Sequence, residues 1–109
     1  MTNVTILRSK EGIRGFVADG HSGYADAGSD IVCSAISALT QSAAMGLSEL
    51  LHISLDLQVK DGSMRCLLPS EMRAQTREEA NLILETMVLG IRAIQETYGD
   101  YIKLTERKV

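Results

Sequence analysis

The residues best suited to chemistry lie in one run, Gly20-His21-Ser22-Gly23-Tyr24-Ala25-Asp26-Ala27-Gly28-Ser29-Asp30-Ile31-Val32-Cys33. Apolar alternation precedes it and a helical apolar period follows it, so the run leaves a strand, crosses a loop and enters a helix. That order places His21 at the edge of a sheet and Cys33 in the first turn of the helix, with enough chain between them to bring the two side chains together. A cysteine and a histidine in contact can serve as nucleophile and base. The thiolate is the reactive form, and an unperturbed thiol with a pKa of about 8.5 is only a few per cent ionised at neutral pH. A helix N-terminus favours an anion by roughly 0.3–1 kcal/mol, less than the ~1.4 kcal/mol that corresponds to one pH unit. A histidine must supply the rest, and it can also protonate a leaving amine. Backbone N–H groups at the start of this helix are candidate donors to an oxyanion.

Each of these residues also has a plainer use, and spacing alone leaves both open. Cys33 fits a small buried position on a helix; Cys66 fits one better, because Met64, Cys66 and Leu68 alternate along a strand. His21 suits a polar strand end, although Gly20 and Gly23 beside it mark a place that something approaches closely. Asp30 and Ser29 are N-cap candidates, and Asp30 could also orient the His21 ring. Ser34 and Ser37 follow Cys33 on the helix, Ser37 one turn on, where packing competes with a place at the site. Tyr24 and Asp26 suit either a lid or a solvated turn. His52, at the far end of the helix, reads as a cap. His21, Asp26, Asp30, Cys33, His52 and Cys66 show no metal-ligand spacing, and no nucleotide or phosphate motif occurs, so neither a metal nor a cofactor is expected.

The elements that must position these residues follow a clear order. Thr2 to Arg8 and Ile13 to Asp19 predict a hairpin, with a loop from Ser22 to Gly28 beyond it. A helix follows, with Val32, Ile36, Leu39, Ala43, Leu47 and Leu50 on its buried face. Ile53, Leu55, Leu57 and Val59, an Asp61-Gly62 turn, then Met64, Cys66 and Leu68 predict a second, half-buried hairpin. Thr76 and Glu79 suggest a capping box, opening a helix that buries Ala80, Ile83, Met87, Ile91, Ile94 and Tyr98 and stops at Gly99. Tyr101 to Thr105 is the last strand. The fold class is α/β of the α+β type: a two-layer sandwich, mostly antiparallel, in the order β-β-α-β-β-α-β.

The 109 residues form one domain, 1–109, with 45% hydrophobic and 23% charged residues, a balance that suits a folded globular chain. Phe16 is the only Phe and Trp is absent, so the core is aliphatic and small. A net charge of −3 with scattered Lys and Arg argues against direct nucleic-acid binding. Two cysteines and a polar start predict a cytoplasmic protein rather than a disulfide scaffold. Ile31 to Ser48 carries no charge, but its six Ser, Thr and Gln residues point to a packed helix and not to a membrane span.

Gly20-His21-Ser22-Gly23-Tyr24-Ala25 followed by Gly28-Ser29-Asp30-Ile31-Val32-Cys33-Ser34-Ala35 resembles the signature of the ribosomal-processing cysteine protease family, Prp, and the likeness extends over the whole chain. The resemblance implies a cysteine endopeptidase that removes the N-terminal extension of a large-subunit ribosomal protein during ribosome assembly. By motif, Cys33 would be the nucleophile and His21 the base, with Asp30 and Ser37 in the active-site neighbourhood. The loop carrying Gly20, Ser22, Gly23, Tyr24 and Gly28 would cover the peptide substrate, and the protein would be a homodimer. The competing reading is a non-catalytic module that binds ribosomal proteins or their assembly factors.

Overall fold

Alternation of β-branched and polar residues drives the first hairpin, β1 (Thr2–Ser9) and β2 (Gly12–Asp19), in the computed structural model, which describes residues 1–20 and 27–109. Val4 and Ile6 of β1 lie opposite Ala18 and Phe16 of β2, and all four are buried. The other strands are β3 (Asp56–Lys60), β4 (Ser63–Leu67) and β5 (Ile102–Lys108). They build a five-stranded sheet in the order β3-β4-β2-β1-β5, antiparallel except for the β1–β5 pair. Helices α1 (Ala27–Met45) and α2 (Ala74–Tyr98) share one hydrophobic core with the sheet, the expected two-layer arrangement.

Small residues let the helices approach closely: a Cβ at Gly90 would meet the Leu39 methyls at 3.1 Å. The stretch Asp30–Leu50 has the length and hydropathy of a membrane-crossing helix. Its Val32, Ile36, Ala43, Ala44 and Leu47 are nevertheless buried in the core, and the buried Thr40 hydroxyl donates to the Ile36 carbonyl at 2.8 Å. After Met45 the helix widens into a π turn, Gly46–Leu50, closed by the Leu51 N–H donating to the Gly46 carbonyl. This turn swings Leu50 into solvent, away from the buried face predicted for it. His52 then ends the helix through its backbone, at φ 54°, a left-handed conformation that His adopts more readily than most residues.

Three further expectations are corrected. Helix α1 begins at Ala27, so Ser29 and Asp30 belong to its first turn and neither is its N-cap, and Gly28 is helical instead of part of a loop. Helix α2 starts at Ala74 behind Arg73, with no side-chain cap. Arg77 accounts for that earlier start: its N–H donates to the Arg73 carbonyl at 3.0 Å, while its guanidinium holds the Ser70 carbonyl and the Glu11 carboxylate. The Thr76–Glu79 pair therefore lies inside the helix, and its buried face also takes in Leu84 and Val88. Finally, β3 is exposed along its whole length, not half buried.

Candidate active site

The exposure of β3 creates a groove. Leu57 and Val59 point to the helix side of the sheet, opposite Cys66 and Met64, but among the described residues β3 is the outermost strand and is exposed along its length. The space between α1 and the β3–β4 hairpin is a cleft of about 470 Å³. On one wall Cys33, Ser37, Gln41 and Met45 recur every fourth residue along one flank of α1. Leu57, Val59 and Met64 form the other, Thr2 and Ala18 lie at the base, and Asp19 and Lys60 line its end beside the Asp61-Gly62 turn. An apolar cleft with a few polar groups and one thiol is an arrangement suited to binding a peptide and attacking it.

The two cysteines part company here. Cys33 is half-buried and lines the cleft. Cys66 is 1% exposed between β2 and β3, and burial, helped by the Asp56 charge, pushes its thiol up to about 11 from an ordinary 9.0. At neutral pH Cys66 thus holds about two orders of magnitude less thiolate than an ordinary thiol. Limited alkylation with iodoacetamide should label Cys33 alone, read by peptide mass, and Cys66 should react only on unfolding. Equal labelling of both in the folded protein would contradict this division.

Cys33 is the seventh residue of α1, not a first-turn residue. The first residue of the helix, Ala27, lies about 9 Å back along the helix axis from Cys33. The helix start is therefore more than one turn from Cys33.

Ser37 shares the cleft with Cys33; Asp30, exposed in the first turn of α1, is not among the cleft residues. Gly20 follows β2 at φ 100°, where its N–H donates to the Gly62 carbonyl at 3.2 Å and an added Cβ would run into the Met1 carbonyl oxygen. Backbone geometry thus suffices to explain glycine there. His21, Ser22, Gly23 and Tyr24, with Ala25 and Asp26, lie outside the described residues. Sequence reasoning missed Gln41 and Met45, whose signal was the four-residue step from Cys33, and misassigned Leu57 and Val59, whose alternation looks the same on a covered and an uncovered strand. Among the described residues, no group of three or more His, Cys, Asp or Glu side chains is placed to hold a metal ion.

Comparison with known proteins identifies the family. Residues 1–103 match the family described as cysteine protease Prp. The ribosomal processing cysteine protease Prp of Bacillus subtilis is 29% identical over 108 residues, covering 96% of this chain and 96% of the relative. That of Staphylococcus aureus strain Mu50 is 30% identical over 105 residues, covering 95% and 97%. The crystal structure of the essential ribosomal processing protease Prp from S. aureus in complex with a substrate peptide superposes with a TM-score of 0.86 at 26% identity, covering 98% of this chain and 100% of that one. The chain belongs to the cysteine protease Prp family.

Proposed function

We propose that this protein is a cysteine endopeptidase that removes the N-terminal extension of a large-subunit ribosomal protein during ribosome assembly, working in the cytoplasm as a homodimer of subunits in which residues 1–109 form a single domain. The observation that carries the reading is the placement of Cys33 on the wall of a peptide-sized cleft while the second thiol is sealed in the core. The names of the B. subtilis and S. aureus relatives support the ribosomal substrate, and the peptide in the S. aureus structure supports an extended chain as ligand.

In this mechanism His21 takes the Cys33 proton and Sγ bonds to the scissile carbonyl carbon. As the C–N bond breaks, His21 returns the proton to the leaving amine, and the new N-terminus departs. The acyl group stays on Cys33 as a thioester. Water then gives a proton to His21, its oxygen bonds to the carbonyl carbon, and the C–S bond breaks, releasing the cleaved extension and restoring the thiol. Ser37, one turn from Cys33 on the same wall, and Asp30, in the first turn of α1, belong to the active-site neighbourhood in this reading.

The test is to mix the reduced protein with a peptide spanning the extension and the mature N-terminus and to weigh the products. Two fragments whose masses sum to the substrate plus one water are expected. Binding with no change in mass would instead identify a non-catalytic module.

A further inference from the structure

Among the described residues, the outer edge of β3 has no strand beside it, and Leu57 and Val59 on that strand are 46% and 68% exposed. Such an edge offers a row of N–H and C=O groups for pairing. Its five residues, Asp56-Leu57-Gln58-Val59-Lys60, complement themselves when the strand is read against its own reverse. With a two-fold axis through Gln58, Asp56 lies opposite Lys60 of a second copy, Leu57 opposite Val59, and Gln58 opposite itself. Both ion pairs then fall on the face away from the helices, and both apolar pairs on the helix side, because directly opposed residues share a face.

The other sheet edge behaves differently. The corresponding pairing of β5 about Thr105 would set Lys103 against Arg107 and Leu104 against Glu106, and Glu106 is already held by Arg8 and Arg92. Like charges directly opposed disfavour pairing. Of the two edges, only β3 is built to accept its own copy.

We infer that β3 pairs antiparallel with β3 of a second copy, joining two five-stranded sheets into one of ten strands. This assigns a surface to the dimer of the functional reading above, on which it rests. It also bears on the site, because β3 is a cleft wall: the helix-side faces of both strands would form a common floor, and the two Cys33-bearing clefts would open into one trough between the two α1 helices. Each copy would therefore contribute Leu57 and Val59 to the surface available to the other's substrate.

Charge exchange tests the pairing. By sedimentation velocity the wild type should be a dimer, and Lys60→Glu and Asp56→Lys, which set like charges together twice per dimer, should each weaken it by about tenfold or more in Kd. Mixing the two single variants should restore dimers, as should the double variant Asp56→Lys/Lys60→Glu. In a Cys33→Ala background, Gln58→Cys should form a self-disulfide under mild oxidation, since opposed Cα atoms in an antiparallel pair lie within the disulfide range; Thr105→Cys should not. A monomeric wild type that still cleaves peptide would overturn the dimer and leave the protease reading standing. A wild-type dimer untouched by either charge variant would place the interface elsewhere. An Asp56→Lys variant that stays dimeric but binds peptide more weakly would show the edge to be occupied by substrate, which also overturns the inference.

Discussion

Replacing Cys33 by Ala lowers kcat/KM for the extended peptide by about ten-thousandfold or more, the scale on which a hydrolase loses its nucleophile. The fold should survive, because Cys33 is only half-buried on the cleft wall and Ala is the residue best tolerated within a helix. Cys66→Ala should do the reverse. Loss of a fully buried sulfur costs stability, by about 1–2 kcal/mol as a small cavity, while kcat/KM of the folded protein stays within a few-fold of wild type. His21→Ala should approach the Cys33→Ala loss, and the double variant should be no worse than Cys33→Ala alone, since a base without its nucleophile has nothing to do. Additive losses would mean that His21 acts separately from Cys33. Cleavage within tenfold of wild type in folded Cys33→Ala would remove that residue from the chemistry.

The sequence made the order of elements, the first hairpin, the Asp61-Gly62 turn and the contrast between Cys33 and Cys66 legible, because each rests on local periodicity or turn chemistry. Positions set by tertiary packing were harder to read. The early start of α1 moves Cys33 from the first turn to the second, and Ser29 and Asp30, which look like caps, sit inside the helix. At α2 the long reach of Arg77 to Ser70 and Glu11 outweighs the local Thr76–Glu79 signal. The misreading of β3 has the most consequence for function. Period-two alternation reports which residues share a face of a sheet, not whether a helix covers that face. Leu57 and Val59 carry a core pattern in an uncovered place, and the uncovered place is the cleft.

The same economy of aromatic residues makes Phe16 the most sensitive core position. It is the only Phe of the chain, fully buried on the central strand β2, opposite Ile6 of β1 and Cys66 of β4. Phe16→Ala should cost about 3–5 kcal/mol. At roughly 0.05–0.15 kcal/mol per residue a chain of this size holds about 5–15 kcal/mol in all, so the substitution removes a large share of the total. Phe16→Leu, which fills most of the space, should cost under about 1.5 kcal/mol. Urea unfolding followed by circular dichroism measures both, and a cost below 1 kcal/mol for Phe16→Ala would show that the neighbouring aliphatic side chains close the gap. The position matters to catalysis because β2 runs from Phe16 through Asp19 at the cleft to Gly20, the residue before His21. Phe16→Leu should therefore keep wild-type kcat/KM at low temperature and lose it at a lower temperature than wild type, in step with its unfolding, whereas a direct role in the site would reduce kcat/KM while the protein is still fully folded.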